Sequence, residues 1–150
     1  MSDRLYFDDL SVGQRFQSGS TTLDAAAIKD FAATYDPQPF HLDEEAARDT
    51  LFGGLAASGW QTAALTMRLL VESVPLAGGI VGAGNEISWP RPTRPGDVLT
   101  VVSEVMEVTP SVSRPDRGRI VVRSETSNQN GEVVQVLTAR LIVPRRVAST

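Results

Sequence analysis

The 150-residue chain contains no cysteine. That excludes disulfides, thiolate metal sites and a cysteine nucleophile, and a cytoplasmic home is the simplest reading. Histidine occurs once, at His41. With no second histidine or cysteine, a zinc site is not expected, and no metal is assigned. No apolar run reaches the roughly 18 residues of a membrane span. The opening Met1-Ser2-Asp3-Arg4 lacks the basic region and apolar stretch of a signal peptide, so none is expected. Basic clusters are also missing, and the net charge is −4, which makes nucleic acid a poor partner; a few local arginines still suffice for an anionic ligand. The stretch Gly78-Gly79-Ile80-Val81-Gly82-Ala83-Gly84 lacks the strand-before, helix-after setting of a nucleotide loop. There are no internal repeats and no linker long enough to split the chain. Residues 1–150 therefore read as a single domain, and 41% hydrophobic residues suit a real core in a soluble protein.

What is present falls into two halves. The first twenty residues read as an arm with a short strand near Gln14-Arg15-Phe16. Thr22 is a candidate helix cap with Asp24 in the first turn, and Ile28, Phe31, Ala32 and Tyr35 recur at helical spacing. Pro37 biases Asp36 away from helical angles and ends that helix. Asp43-Glu44-Glu45 begin a second, short helix, with acids where the helix dipole favours them, and Gly53-Gly54 break it. A third helix runs from Gly59 to about Val74. Its apolar residues cover most of its circumference, which predicts burial on nearly all sides. The second half is rich in Val, Ile and Thr and predicts strands over Ile80–Trp89, Val98–Val108, Arg119–Ser127 and Val133–Val143. Asn130-Gly131 is a hairpin turn signal, and Thr109–Gly118 reads as an exposed loop. Helices followed by strands indicate an α+β fold with an antiparallel sheet around the apolar helix.

The run Tyr35-Asp36-Pro37-Gln38-Pro39-Phe40-His41 carries the clearest chemical signal. His is the side chain that titrates near neutral pH, and an Asp and a His held by a proline-stiffened loop suit proton transfer at a small-molecule substrate. Asp36 falls at a helix C-terminus, where the dipole and burial together are expected to raise its pKa. Spacing alone leaves a second reading open, in which Asp36 caps a turn and His41 is a satisfied loop histidine. Gly53-Gly54-Leu55-Ala56-Ala57-Ser58-Gly59 precedes the long helix. Ser58 is its natural N-cap, and the Gly59 N–H is a candidate donor to an oxyanion on a thioester carbonyl. Arg68, Arg91 and Arg94 are candidates for phosphate or carboxylate recognition, with solvated surface or structural ion pairs as the alternative. Trp60 and Trp89 read as core.

Taken together, Tyr35 to Asp43, Ala46-Ala47 and Phe52-Gly53-Gly54-Leu55-Ala56-Ala57-Ser58-Gly59-Trp60 resemble the MaoC-like dehydratase family, which includes the (R)-specific enoyl-CoA hydratases. Arg91-Pro92-Thr93-Arg94-Pro95-Gly96-Asp97 resembles the family's strand–turn segment, so the likeness spans nearly the whole chain. It implies a hot-dog fold, an antiparallel sheet wrapped around a long central helix at Gly59–Val74, and a homodimer or higher homo-oligomer with the acyl-CoA tunnel near the interface. It implies a cytoplasmic hydro-lyase of fatty acid metabolism that interconverts a trans-2-enoyl-CoA and an (R)-3-hydroxyacyl-CoA. Asp36 and His41 would activate water, Gly59 N–H would polarise the thioester carbonyl, and Gln38, Phe40, Ser58, Trp60, Arg91 and Arg94 would contribute to substrate binding. No cofactor is implied beyond coenzyme A as part of the substrate, for which an acyl carrier protein arm is the alternative handle. Three positions depart from the family pattern. Gln38 stands where Asn is usual and Ser58 where His is frequent; Met67 falls where some members carry a small hydroxyl residue. These departures bear on the acyl group more than on the reaction. A hot-dog acyl-CoA thioesterase and a non-catalytic acyl-CoA-binding subunit are the competing readings.

Overall fold

A computed structural model describes residues 3–146. Residues 1–2 and 147–150, the outermost parts of the expected 1–150 domain and of the N-terminal segment inspected for a signal peptide, lie outside the described residues. A 3₁₀ turn (Phe7–Asp9) leads into β1 (Arg15–Leu23), α1 (Ala25–Tyr35), α2 (Pro39–Leu42), α3 (Glu44–Ala47) and α4 (Gly59–Ser73). Four strands follow: β2 (Val81–Ser88), β3 (Asp97–Pro110), β4 (Arg117–Ser127) and β5 (Val133–Pro144). All five strands form one antiparallel sheet in the order β1-β3-β4-β5-β2, with α4 packed against it. This is the hot-dog arrangement.

The sheet buries one face because its central strands alternate. Along β3 from Asp97 to Val105, and along nearly all of β4, every second residue is buried, as the two-residue period of a strand requires. Leu69, Leu70 and Val74 from α4 and its end meet Val101, Val105, Ile120, Val122, Leu141 and Val143 from the sheet. The seam also contains oxygen. Thr66 Oγ1 lies 2.7 Å from Thr126 Oγ1, Thr62 Oγ1 donates to Thr93 Oγ1 at 3.0 Å, and Ser103 and Ser124 pair within the sheet at 2.8 Å. All six residues are buried, and because a hydroxyl can either donate or accept, each pair gives both oxygens a hydrogen-bond partner.

Several local expectations are revised. Thr22 belongs to β1, paired with Val98, and Asp24 is the cap of α1, its Oδ1 accepting from Ala27 N at 2.8 Å. A Thr held by a ladder is not free to cap, and Asp is the stronger N-cap. The strand near residue 15 is nine residues long. β3 extends through Pro110 and β4 starts at Arg117, which shortens the expected Thr109–Gly118 loop. The segment after Pro37 is not a plain loop: Pro39 opens one helical turn, α2, on which His41 sits. Proline suits that position because its missing N–H would have no partner there. Finally, α4 is buried on one face only. Gln61, Thr62, Thr66, Leu69 and Leu70 are buried, whereas Trp60, Met67 and Val71 are 60%, 39% and 55% exposed. A single sheet covers one side of a helix, and the apolar stripe on the other side is left open. No helix among the described residues is long and apolar enough to cross a membrane.

The 3₁₀ turn docks where a glycine makes room. A Cβ at Gly118 would lie 2.2 Å from the buried Phe7 ring. Gly118→Ala is expected to lower stability in urea unfolding by about 1–3 kcal/mol through overpacking. Gly19→Ala, where a Cβ meets nothing within 4 Å, is expected to change it by less than about 0.5 kcal/mol.

Candidate active site

Asp36 is the residue at which α1 stops. Its N–H still bonds to Ala32 O at 2.8 Å while its backbone leaves helical angles. The carboxylate is then held from three sides. Gln38 Nε2 donates to Oδ1, Ser58 Oγ donates to Oδ2 at 2.7 Å, and His41 Nε2 lies 3.3 Å from Oδ2. Burial pushes the Asp36 pKa up, but the hydrogen bonds from Gln38 and Ser58, together with the positive charge of His41 when its ring is protonated, outweigh it, and the net shift is downward. The expectation of a raised pKa is therefore corrected. Donors to the ionised form favour it, and here two side-chain donors converge on one carboxylate. At neutral pH Asp36 is an acceptor only.

His41 is buried, with its ring edge-on to Phe40 at 4.6 Å and 5.9 Å from Phe52. Its Nδ1 lies 2.6 Å from Ala56 O. A carbonyl only accepts, so Nδ1 carries the hydrogen. With a hydrogen on Nδ1, the neutral ring presents an Nε2 lone pair to the cleft, and the protonated ring presents an Nε2–H to Asp36 Oδ2, 3.3 Å away. The same Ala56 peptide donates its N–H to Phe40 O at 3.0 Å, so one residue grips α2 through both its polar groups.

Ser58 is fully buried and does two tasks. Its hydroxyl donates to Asp36 and accepts from Trp60 N at 3.3 Å, which makes it the N-cap of α4. Gly59 opens α4, and the carbonyl four residues back, Leu55 O, accepts from Arg94 instead. The Gly59 N–H is thus one of the free donors of a helix start. Glycine is required here by contact, since a Cβ at this position would lie 2.7 Å from the Trp89 ring. Trp89 itself is fixed by Nε1 donating to Gln135 Oε1 at 2.9 Å.

These groups border one cleft of about 360 Å³. Of the residues expected from sequence, Asp36, His41, Gly59, Trp60 and Arg91 line it. Gln38 and Ser58 stand behind the carboxylate, and Phe40 packs on the imidazole. Arg91 is exposed and pairs with Glu132 at 3.1 Å. The Arg94 guanidinium is turned away onto the carbonyls of Phe52, Gly54 and Leu55. Phe52, Ala57, Thr62, Trp89 and Thr93 also line the cleft. Trp89 in particular, read from sequence as core, is a 39% exposed wall; its place after a strand and before Pro90 was the available sign. Among the described residues no group of three or more His, Asp or Glu is placed to hold a metal ion.

The lowered Asp36 pKa has a stability signature. A depressed carboxylate contributes stability that is fully present above its ordinary value of 3.8 and is lost as pH falls through its folded-state value. The stability difference between wild type and Asp36→Asn, from urea midpoints at a series of pH values, is expected to be greatest above that value and to shrink below it. A difference independent of pH would contradict the assigned direction.

Comparison with known proteins identifies the family. The sequence model of the FAS1-like dehydratase domain region matches residues 11–137. A MaoC-like dehydratase from Rhodospirillum rubrum superposes with a TM-score of 0.94 at 62% identity, covering 96% of this chain and 99% of that one. A 3-hydroxybutyryl-CoA dehydratase of Methylorubrum extorquens is 35% identical over 115 residues, 73% of this chain and 69% of that protein. An (R)-specific enoyl-CoA hydratase of Rhodospirillum rubrum is 26% identical over 141 residues, 94% of this chain and 93% of that protein. With a hot-dog sheet, an Asp–His pair at a helix start and these relatives, the chain belongs to the MaoC-like dehydratases.

Proposed function

We infer that this enzyme adds water across the double bond of a trans-2-enoyl-CoA to give an (R)-3-hydroxyacyl-CoA, and runs the reverse dehydration. The observation that carries this reading is the convergence of three groups on one cleft: an ionised Asp36, the His41 Nε2 3.3 Å from it, and the Gly59 helix-start N–H. Two acceptors side by side hold a water by its hydrogens and leave its oxygen free to attack. As the C3–O bond forms, the C2=C3 π electrons move toward the thioester carbonyl, whose oxygen gains charge beside the Gly59 N–H. The Asp36–His41 pair takes the water proton. As the enolate collapses, the pair returns that proton to C2, and the thioester remains intact. Proton transfer alone balances the reaction, so coenzyme A enters only as part of the substrate.

The names of the relatives support the thioester substrate, and the exposed Trp60, Met67 and Val71 stripe on α4 supports a homodimer formed across that face, next to the cleft. Met67→Asp with Val71→Asp is expected to convert the dimer to monomer in light scattering coupled to size exclusion. Wild-type protein that is already monomeric at micromolar concentration would contradict the dimer.

With crotonyl-CoA, the conjugated enoyl-thioester absorbance is expected to fall without release of thiol. Asp36→Asn and His41→Ala are each expected to lower kcat by about 10²–10⁴-fold. Free thiol in step with the absorbance loss would identify a thioesterase instead. No turnover across a panel of enoyl thioesters would favour a binding subunit.

A further inference from the structure

Arg94 reads from sequence as a ligand for phosphate or carboxylate, yet its guanidinium is committed elsewhere. Nη1 donates to Gly54 O at 3.0 Å and Leu55 O at 3.2 Å, and Nη2 donates to Phe52 O. One planar fork therefore gathers three carbonyls of the loop that leads into α4, a task for which an ammonium has the wrong shape. The next residue in that loop is Ala56, whose carbonyl receives the His41 Nδ1 hydrogen. Arg94 is in turn anchored: its own N–H donates to Asp97 Oδ2 at 2.8 Å, and the other oxygen of the buried Asp97 accepts from Gln129 Nε2 at 3.0 Å. Beside it, Ala57 N donates to Thr93 O at 2.9 Å.

We propose that Arg94 is a positioning residue that sets the tautomer and aim of His41 by holding the 52–56 loop, so that the Ala56 carbonyl keeps the hydrogen on Nδ1 and leaves Nε2 free in the cleft. Its consequence for turnover rests on the hydratase reading; its consequence for the imidazole does not. Without the fork, the three carbonyls turn to water, the Ala56 carbonyl loses its fixed place, and nothing opposes the Asp36 carboxylate 3.3 Å away, which draws the ring hydrogen to Nε2, where the ring is no longer a base.

His41 is the only histidine of the chain, so its ring nitrogens can be read directly in long-range ¹H–¹⁵N spectra of the labelled protein. At about pH 9, where an ordinary imidazole is neutral, the wild-type ring is expected to carry its hydrogen on Nδ1. Arg94→Ala is expected to shift the ring toward the Nε2–H form, with Arg94→Met, which keeps the packed stem, as the second variant if alanine prevents folding. With crotonyl-CoA, kcat is expected to fall on the order of 10²-fold, the usual cost of a misplaced catalytic group, with KM little changed. A wild-type ring protonated on Nε2, or an unchanged ring in a folded variant, overturns the proposal. A raised KM with an unchanged ring returns Arg94 to the substrate. The ring spectrum needs no substrate, so failure of the hydratase reading is seen separately, as absence of wild-type turnover.

Discussion

The Asp36 carboxylate is the point on which the site depends. It ends α1, receives the hydroxyl that caps α4, and faces the imidazole carried by α2. Three helices, two of which also share an apolar cluster through Ile28 and Leu65, are joined at the site by one charged group and its donors. Hydrogen bonds to a charged acceptor are stronger than neutral ones, and a partly buried carboxylate without partners would be costly. Satisfying Asp36 and assembling the site are the same event.

The supporting frame keeps that carboxylate in place at some distance. The 93–97 turn after β2 lies against the 52–57 loop through backbone and guanidinium contacts, and Gln129 in the β4–β5 hairpin holds Asp97. Loops normally move more than the elements they join. Here the loop into α4 is bonded by its backbone to α2 on one side and to the turn before β3 on the other. The oxyanion role proposed for the α4 start needs that fixity, because a donor that must reorganise during a reaction contributes less than one already in place.

Much of this was legible in the sequence wherever the cause is local. Helix periodicity and Pro37 located the end of α1 and hence Asp36, and the small-residue run located the start of α4. What escaped depends on partners far along the chain. Ser58 and Asp36 are 22 residues apart, and Ala56 lies 15 from His41. A reading that sees the helix dipole and burial but not the Ser58 and Gln38 donors arrives at the wrong sign for the Asp36 pKa. The role of Arg94 was hidden for the same reason, since its carbonyl partners lie about forty residues away and backbone acceptors have no signature in residue type. The open face of α4 escaped for another reason: apolar residues all round a helix do not report that a single sheet covers only one of its sides.

The paired hydroxyls between α4 and its surroundings carry a consequence for how this sequence can drift. Apolar side chains tolerate sliding by a fraction of a turn; Thr66 against Thr126, both fully buried, does not, because a displaced buried hydroxyl loses its partner, and Thr62 against Thr93 makes the same demand beside the cleft. Losing one member of such a pair strands the other, whereas replacing both with apolar groups of the same shape is nearly neutral. Substitution at these positions should therefore be correlated, each pair changing together or not at all, and the axial setting of the helix is inherited through two-residue units instead of through single sites.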